Sequence, residues 1–206
     1  MKINALEHLD FLLENIDTLA TNIQPLWHPL GFVSCVIRDT PGELTLRVHY
    51  WPPNDRRTKN PDWPIHTHSY ALSSLVMSGQ VEDTQYKTTD GEQHSIYQVS
   101  YFDGNSEIRC TGRKTSALKC TSYTRTEGEQ YRVERGVFHE SSVNFSESAV
   151  TFVALSEPSS EAPLVLGGEG EHSYPYDRTP FNREEFWSAV RDAISRPIIR
   201  NLSKNV

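Results

Sequence analysis

Two histidines, His66 and His68, stand one residue apart in PIHTHSYALSSLVMSG, residues 64–79. In an extended segment, residues two apart point to the same side, so these two imidazoles aim together while Thr67 faces away. Such a pair can grip one metal ion, but a working metal site takes three protein ligands and leaves positions open for chemistry. Six other histidines could supply the third ligand. His8 falls in a helical pattern beside acidic residues, His28 follows Trp27 in a loop, and His49 alternates with Val48 and Tyr50 in a strand; each reads as structural. His94 comes just after an Asp90-Gly91 turn and His172 lies in a Gly/Glu-rich stretch, so both read as exposed. His139 differs, because in EQYRVERGVFHESSV an alternating strand reaches a Glu-Arg-Gly turn and a new strand begins by presenting the imidazole. One strand face could then carry His139 opposite the pair.

The elements that must position these residues fall into three stretches. Residues 1–30 are helical: Ile3, Leu6, Leu9, Leu12, Leu13, Ile16, Leu19 and Ile23 recur at steps of three or four and make one apolar helix face. From residue 31 to 158 the period changes to two. GFVSCVIRDTPGELTLRVHYW reads as two strands joined at Asp39-Thr40-Pro41-Gly42, followed by strands in ALSSLVM, HSIYQVSYF, SALKCTSYTR, EQYRVERG and AVTFVALS. Many short strands imply an all-β barrel or sandwich. Residues 159–206 open with a Pro-, Gly-, Ser- and Glu-rich stretch that predicts a surface excursion. They then turn helical at NREEFWSAVRDAI, where Asn182 and Glu185 have capping-box spacing and Pro197 ends the helix. The tail from Arg200 to Val206 reads as frayed. The whole chain reads as one domain.

The paired motifs, HTHSYALSSLVMSG with its closing Gly79 and YRVERGVFH with Gly136 three residues before His139, resemble the two motifs of the cupin superfamily. The resemblance covers roughly residues 44–155. It implies a mainly β fold, the cupin double-stranded β-helix or jelly-roll barrel, with N-terminal and C-terminal helices added, and one metal held by His66, His68 and His139. Where cupins commonly add a glutamate ligand, this chain has Leu72 and Ser73, which leaves three neutral imidazoles and no carboxylate. Among cupins that set is similar to the thiol dioxygenases of the cysteine dioxygenase type, as are Trp51 ending the preceding strand, the PIHTH entry and the LVMSGQVEDT exit. That likeness implies Fe(II) as cofactor, and O2 and a small thiol as reactants. Ser73 stands where animal members carry a crosslinked cysteine, and the strand AVTFVALSEP lacks the family's Ser-His-Tyr arrangement. A non-sulfur substrate, such as a diketone, or a noncatalytic sensor cupin therefore stay open as alternatives.

Around that centre, Tyr70 has the same strand parity as His68 and could offer its phenol near the metal. Arg38 and Arg47 are the candidates to clamp a substrate carboxylate, and Arg56, Arg57 and Lys59 could cover a pocket entrance. Charge and composition narrow the partners. The 206 residues carry a formal net charge of -7, against a nucleic-acid partner. No apolar run is long enough to span a membrane, and the first residues lack the pattern of a signal peptide. Cys35, Cys110 and Cys120 are odd in number and unrelated in spacing, which fits a reducing, cytoplasmic setting.

Overall fold

The computed structural model describes residues 3–102 and 105–203. A 3₁₀ turn at Ala5–His8 runs into α1 (Leu9–Asn22), as the apolar period predicts. Short strands β1 (Leu26–Trp27) and β2 (Leu30–Gly31) precede β3 (Val33–Thr40) and β4 (Leu44–Trp51). β5 (Arg57–Thr58), β6 (Ala71–Ser78), β7 (Gln80–Phe102) and β8 (Asn105–Thr126) follow. The chain continues through β9 (Gln130–Val133), β10 (Phe138–Ser142), β11 (Ala149–Ser156), β12 (Leu164–Gly167) and β13 (Ser173–Tyr176). It closes with α2 (Arg183–Ser195) and α3 (Pro197–Ser203).

A six-stranded sheet in the order β1-β3-β4-β11-β6-β9 faces a second sheet in the order β10-β7-β8-β13, with β12 also paired to β7. This is a mainly β, two-sheet jelly roll, flanked by terminal helices. Strand parity explains its layering. Leu46, Val48 and Tyr50 of β4, Leu75 and Met77 of β6, and Phe152 and Ala154 of β11 share a core with Leu9, Leu12, Phe186, Trp187 and Val190 of the helices. The alternate residues, Trp51, Leu72, Val76, Val153 and Leu155, pack inside the barrel. β6 and β11 are thus buried on both faces throughout, which is why they read as continuous apolar runs. Burying each large side chain contributes about 1.5–3 kcal/mol. Trp27, Trp187, Phe152 and Phe186 are among those fully enclosed.

Three sequence expectations are corrected. Asp90-Gly91 does not reverse the chain: β7 runs through it, and the register with β8 jumps between Thr89 and His94. The unmatched residues make a bulge, which a Gly inside a strand allows, so two long strands replace several short ones. The stretch predicted as a surface excursion contributes β12 and β13, paired to β7 and β8. Pro, Gly and Ser punctuate these edge strands rather than preventing them, and Val165 and Leu166 are buried. Arg200 to Ser203 lie in α3 rather than in a frayed tail; residues 204–206 lie outside the described residues. Asn182 caps α2 as expected, its Oδ1 accepting from the Glu185 N–H at 3.0 Å. No helix among the described residues is long and apolar enough to cross a membrane.

Candidate metal centre and the cavity before it

Each histidine of the centre is fixed by backbone pairing. The segment carrying His66 and His68 is extended but too short for a full strand, and it is held from both sides. His66 and His139 exchange backbone hydrogen bonds of 3.0 and 2.9 Å, while the Thr67 N–H donates to Leu164 at 2.8 Å. Thr67 does turn away, its Oγ1 accepting from the Leu164 N–H at 2.9 Å. The Gly136 N–H donates to the His68 carbonyl at 3.1 Å, so the glycine turn between β9 and β10 touches the ligand segment directly. At the other motif, Gly79 adopts φ +75°, and a Cβ there would collide with the Ser148 carbonyl.

The three imidazoles converge. Their ring centroids lie 4.7–5.0 Å apart, and the candidate ligand nitrogens all fall within 4.8 Å of one another. His68 Nε2 and His139 Nε2 are 2.9 Å apart. Two nitrogens at right angles on one ion, each bonded at about 2.1 Å, stand about 3 Å apart. One opposite ring nitrogen, that of His66, is oriented from behind. His66 Nδ1 lies 2.8 Å from the Pro64 carbonyl and, as donor to it, presents Nε2 as a lone pair. His139 Nδ1 faces Asp83 Oδ1 at 3.9 Å, and neither atom has a hydrogen-bond partner among the described residues. Burial, aided by the neighbouring imidazoles, holds His68 well below the usual imidazole range and His66 at about 3. Neutral imidazoles are the form that binds a metal. The donor set therefore fits a borderline divalent ion such as Fe, Zn, Ni or Cu.

Outside this centre opens a cavity of about 450 Å³, into which His66, His68, Tyr70 and Arg47 project. Tyr70 stacks on His68, with centroids 4.9 Å apart and planes 19° apart, and the Arg47 guanidinium sits over the Tyr70 ring at 5.9 Å. Arg47 and His49 occupy the inward face of β4, alternating with the helix-facing Leu46 and Val48. Arg38 does not join them. A register shift between Val36 and Arg38 pairs Arg38 with Leu46, which moves it to the helix side, 5.2 Å over the Phe11 ring. Of the three loop cations, Lys59 lines the cavity and donates to the Tyr174 carbonyl, its ammonium lowered to about 8 by burial. Arg56 instead donates to the Asn144 and Glu147 carbonyls, and Arg57 lies over Trp27.

Several site residues were not singled out from the sequence. Asp83 stands behind a ligand ring rather than on the ligand side. His28 and His49 line a smaller void of about 40 Å³ on the inner side of the ligands, with His139, Tyr131 and Ser141. His28 Nδ1 accepts from the Leu30 N–H at 3.3 Å, as a structural histidine should. His49 Nε2 has no partner, and burial with the Arg47 and Arg178 charges holds it at about 3. Arg178 reaches the cavity from the chain beyond β13. Only the pairing of β13 could have announced it.

No family model and no curated protein matches this chain. Among solved structures it is similar to hydroxypropylphosphonic acid epoxidase from S. wedmorenis, at 14% identity and TM-score 0.39, over 67% of this chain and 56% of that one. An 11S globulin from Wrightia tinctoria matches at 11% identity and TM-score 0.38, over 65% of this chain and 31% of that one. A protein from Shewanella oneidensis aligns over 98% of both chains, at 14% identity and TM-score 0.34. The chain spans about half or less of the first two proteins. At such scores these likenesses carry no functional argument, which has to come from the site.

Proposed function

We propose that this chain is a nonheme Fe(II), O2-dependent oxygenase, with the metal on His66, His68 and His139 and a small thiol or other chelating substrate in the cavity before it. The observation that carries the reading is the convergence of three imidazoles, with no carboxylate among them, two of which line a cavity sized for a small molecule. Fe(II) held there supplies redox chemistry with O2 and open coordination positions for a chelating substrate. The protein's own groups do the rest. Tyr70, held flat against His68, presents its phenol beside the reacting centre, and Arg47 offers a charged fork to the substrate's anionic end. Val99, Ile108, Pro163 and Val165 line the cavity with apolar surface that limits water around the reactants.

A non-sulfur substrate is the second reading, favoured by Ser73. Its Oγ accepts from the Ala5 N–H at 3.0 Å, on the helix side of β6, so nothing at that position can take the part of a crosslinked cysteine. The test is O2 uptake by anaerobically Fe(II)-loaded protein against small thiols and diketones. Thiol-stimulated uptake supports the first reading and diketone-stimulated uptake the second. Metal binding without uptake on any of them would leave a binding or sensor cupin and refute the oxygenase.

A further inference from the structure

Three cationic side chains border the cavity. Arg47, Lys59 and Arg178 line it, and no carboxylate does so among the described residues. Lys59 is engaged with the Tyr174 carbonyl. Neither guanidinium meets an anion among the described residues: the Nε of each is shut away from solvent with no hydrogen-bond partner there, neither joins an ion pair, and Arg47 has only the Tyr70 ring beneath it at 5.9 Å. The two guanidiniums arrive from different walls. Arg47 comes from the inward face of β4, where it pairs in register with Val153 of β11. Arg178 comes from just beyond β13, where its N–H donates to Asn105 Oδ1 at 3.4 Å. Each feels the other, for burial and the Arg47 charge both lower the Arg178 guanidinium. The groups beside it that favour its charge are the phenols of Tyr101, Tyr70 and Tyr176, not carboxylates.

An unpaired charge out of water is costly, and two of the same sign bordering one cavity cost more. A fold that holds both is arranged for a ligand that supplies the missing charge, and planar guanidinium forks fit carboxylate and phosphate oxygens. We propose that the ligand of this cavity is a small dianion, its two negative charges shared between Arg47 and Arg178 and its carbon portion lying over Val99, Ile108 and Val165 toward His66 and His68. The inference rests on reading the cavity as the substrate site of the proposed oxygenase, and adds the charge of the substrate and a second anchoring residue, Arg178.

The test is calorimetric titration of the full chain, metal-free and Zn(II)-loaded, with malonate, inorganic phosphate and acetate at constant ionic strength. At least one dianion is expected to bind tenfold or more tightly than acetate. Malonate over phosphate would identify two separate carboxylates, and phosphate over malonate a single doubly charged group. Arg47→Gln and Arg178→Gln should each weaken the dianion at least tenfold, with Arg178→Lys losing less. Equal affinity for dianions and acetate in the wild type, or an unchanged dianion affinity in folded Arg178→Gln protein, would overturn the proposal. Dianion binding without O2 uptake would refute the oxygenase and spare the anion site, whereas O2 uptake without dianion preference would do the reverse.

Discussion

Asp83→Asn should move metal affinity and metal-free stability in opposite directions. Asp83 is 1% exposed, its Oδ1 lies 3.9 Å from His139 Nδ1, and neither atom has another partner. Without a metal, Asp83 Oδ1 is buried with no hydrogen-bond partner among the described residues, and replacing the carboxyl group by an amide should raise stability by about 1 kcal/mol or more. With a metal on the far nitrogen, His139 carries part of the ion's positive charge, and the carboxylate behind it stabilises the bound state. Two full charges at this distance interact by about 4 kcal/mol at an effective dielectric constant of 20. The ring carries only a fraction of that charge, so the expected loss is ten- to hundredfold in metal affinity, about 1.4–2.8 kcal/mol. Competition titration with a chelator of known affinity measures the first effect, and urea unfolding of the metal-free protein the second. An affinity within threefold of wild type, or a variant less stable than wild type without metal, would refute a role for Asp83 behind the His139 ring.

Tyr70→Phe should leave metal affinity within threefold, because the stacked ring is kept, and lower kcat/KM about tenfold, the value of one hydrogen bond from the phenol; steady-state O2 uptake with a titrated substrate measures it. Acid should destabilise the fold through His49. Its folded value of about 3 lies below the ordinary 6.5, so the unfolded chain takes up the proton first and stability falls as pH drops from about 6.5 toward 3. Between pH 7 and 4.5 that loss is about 2–3 kcal/mol, and His49→Phe should lose that much less over the same interval in urea titrations. Gly79→Ala should cost at least about 1–2 kcal/mol, since φ is +75° and the added Cβ meets the Ser148 carbonyl; thermal unfolding would show it.

The three-histidine cluster was legible because the motifs that carry it are local. His66 and His68 share a face by strand alternation, and Gly79 and Gly136 mark turns that a short window shows. The clamp was less so. Arg38 and Arg47 look equivalent in sequence, and a bulge at one residue of β3 sends them to opposite sides of the sheet. Arg178 belongs to a stretch whose Pro, Gly and Ser content reads as loop, and it reaches the cavity only because β13 pairs with a distant strand. Asp83 lies beyond Gly79, and its approach to His139 depends on the pairing of β7 with β10, which no local pattern reveals. The outer helices were readable from period alone, since Leu9, Leu12, Leu19, Phe186 and Val190 form the buried faces of two helices that meet one sheet.

The most direct measurement is Fe(II) stoichiometry by anaerobic equilibrium dialysis on wild type and on His66→Ala, His68→Ala and His139→Ala, each checked for folding by circular dichroism. One Fe(II) per wild-type chain is expected, with loss of tight binding in every folded variant. No Fe(II) on the wild type, or one retained at wild-type affinity in any folded variant, would contradict the three-histidine site.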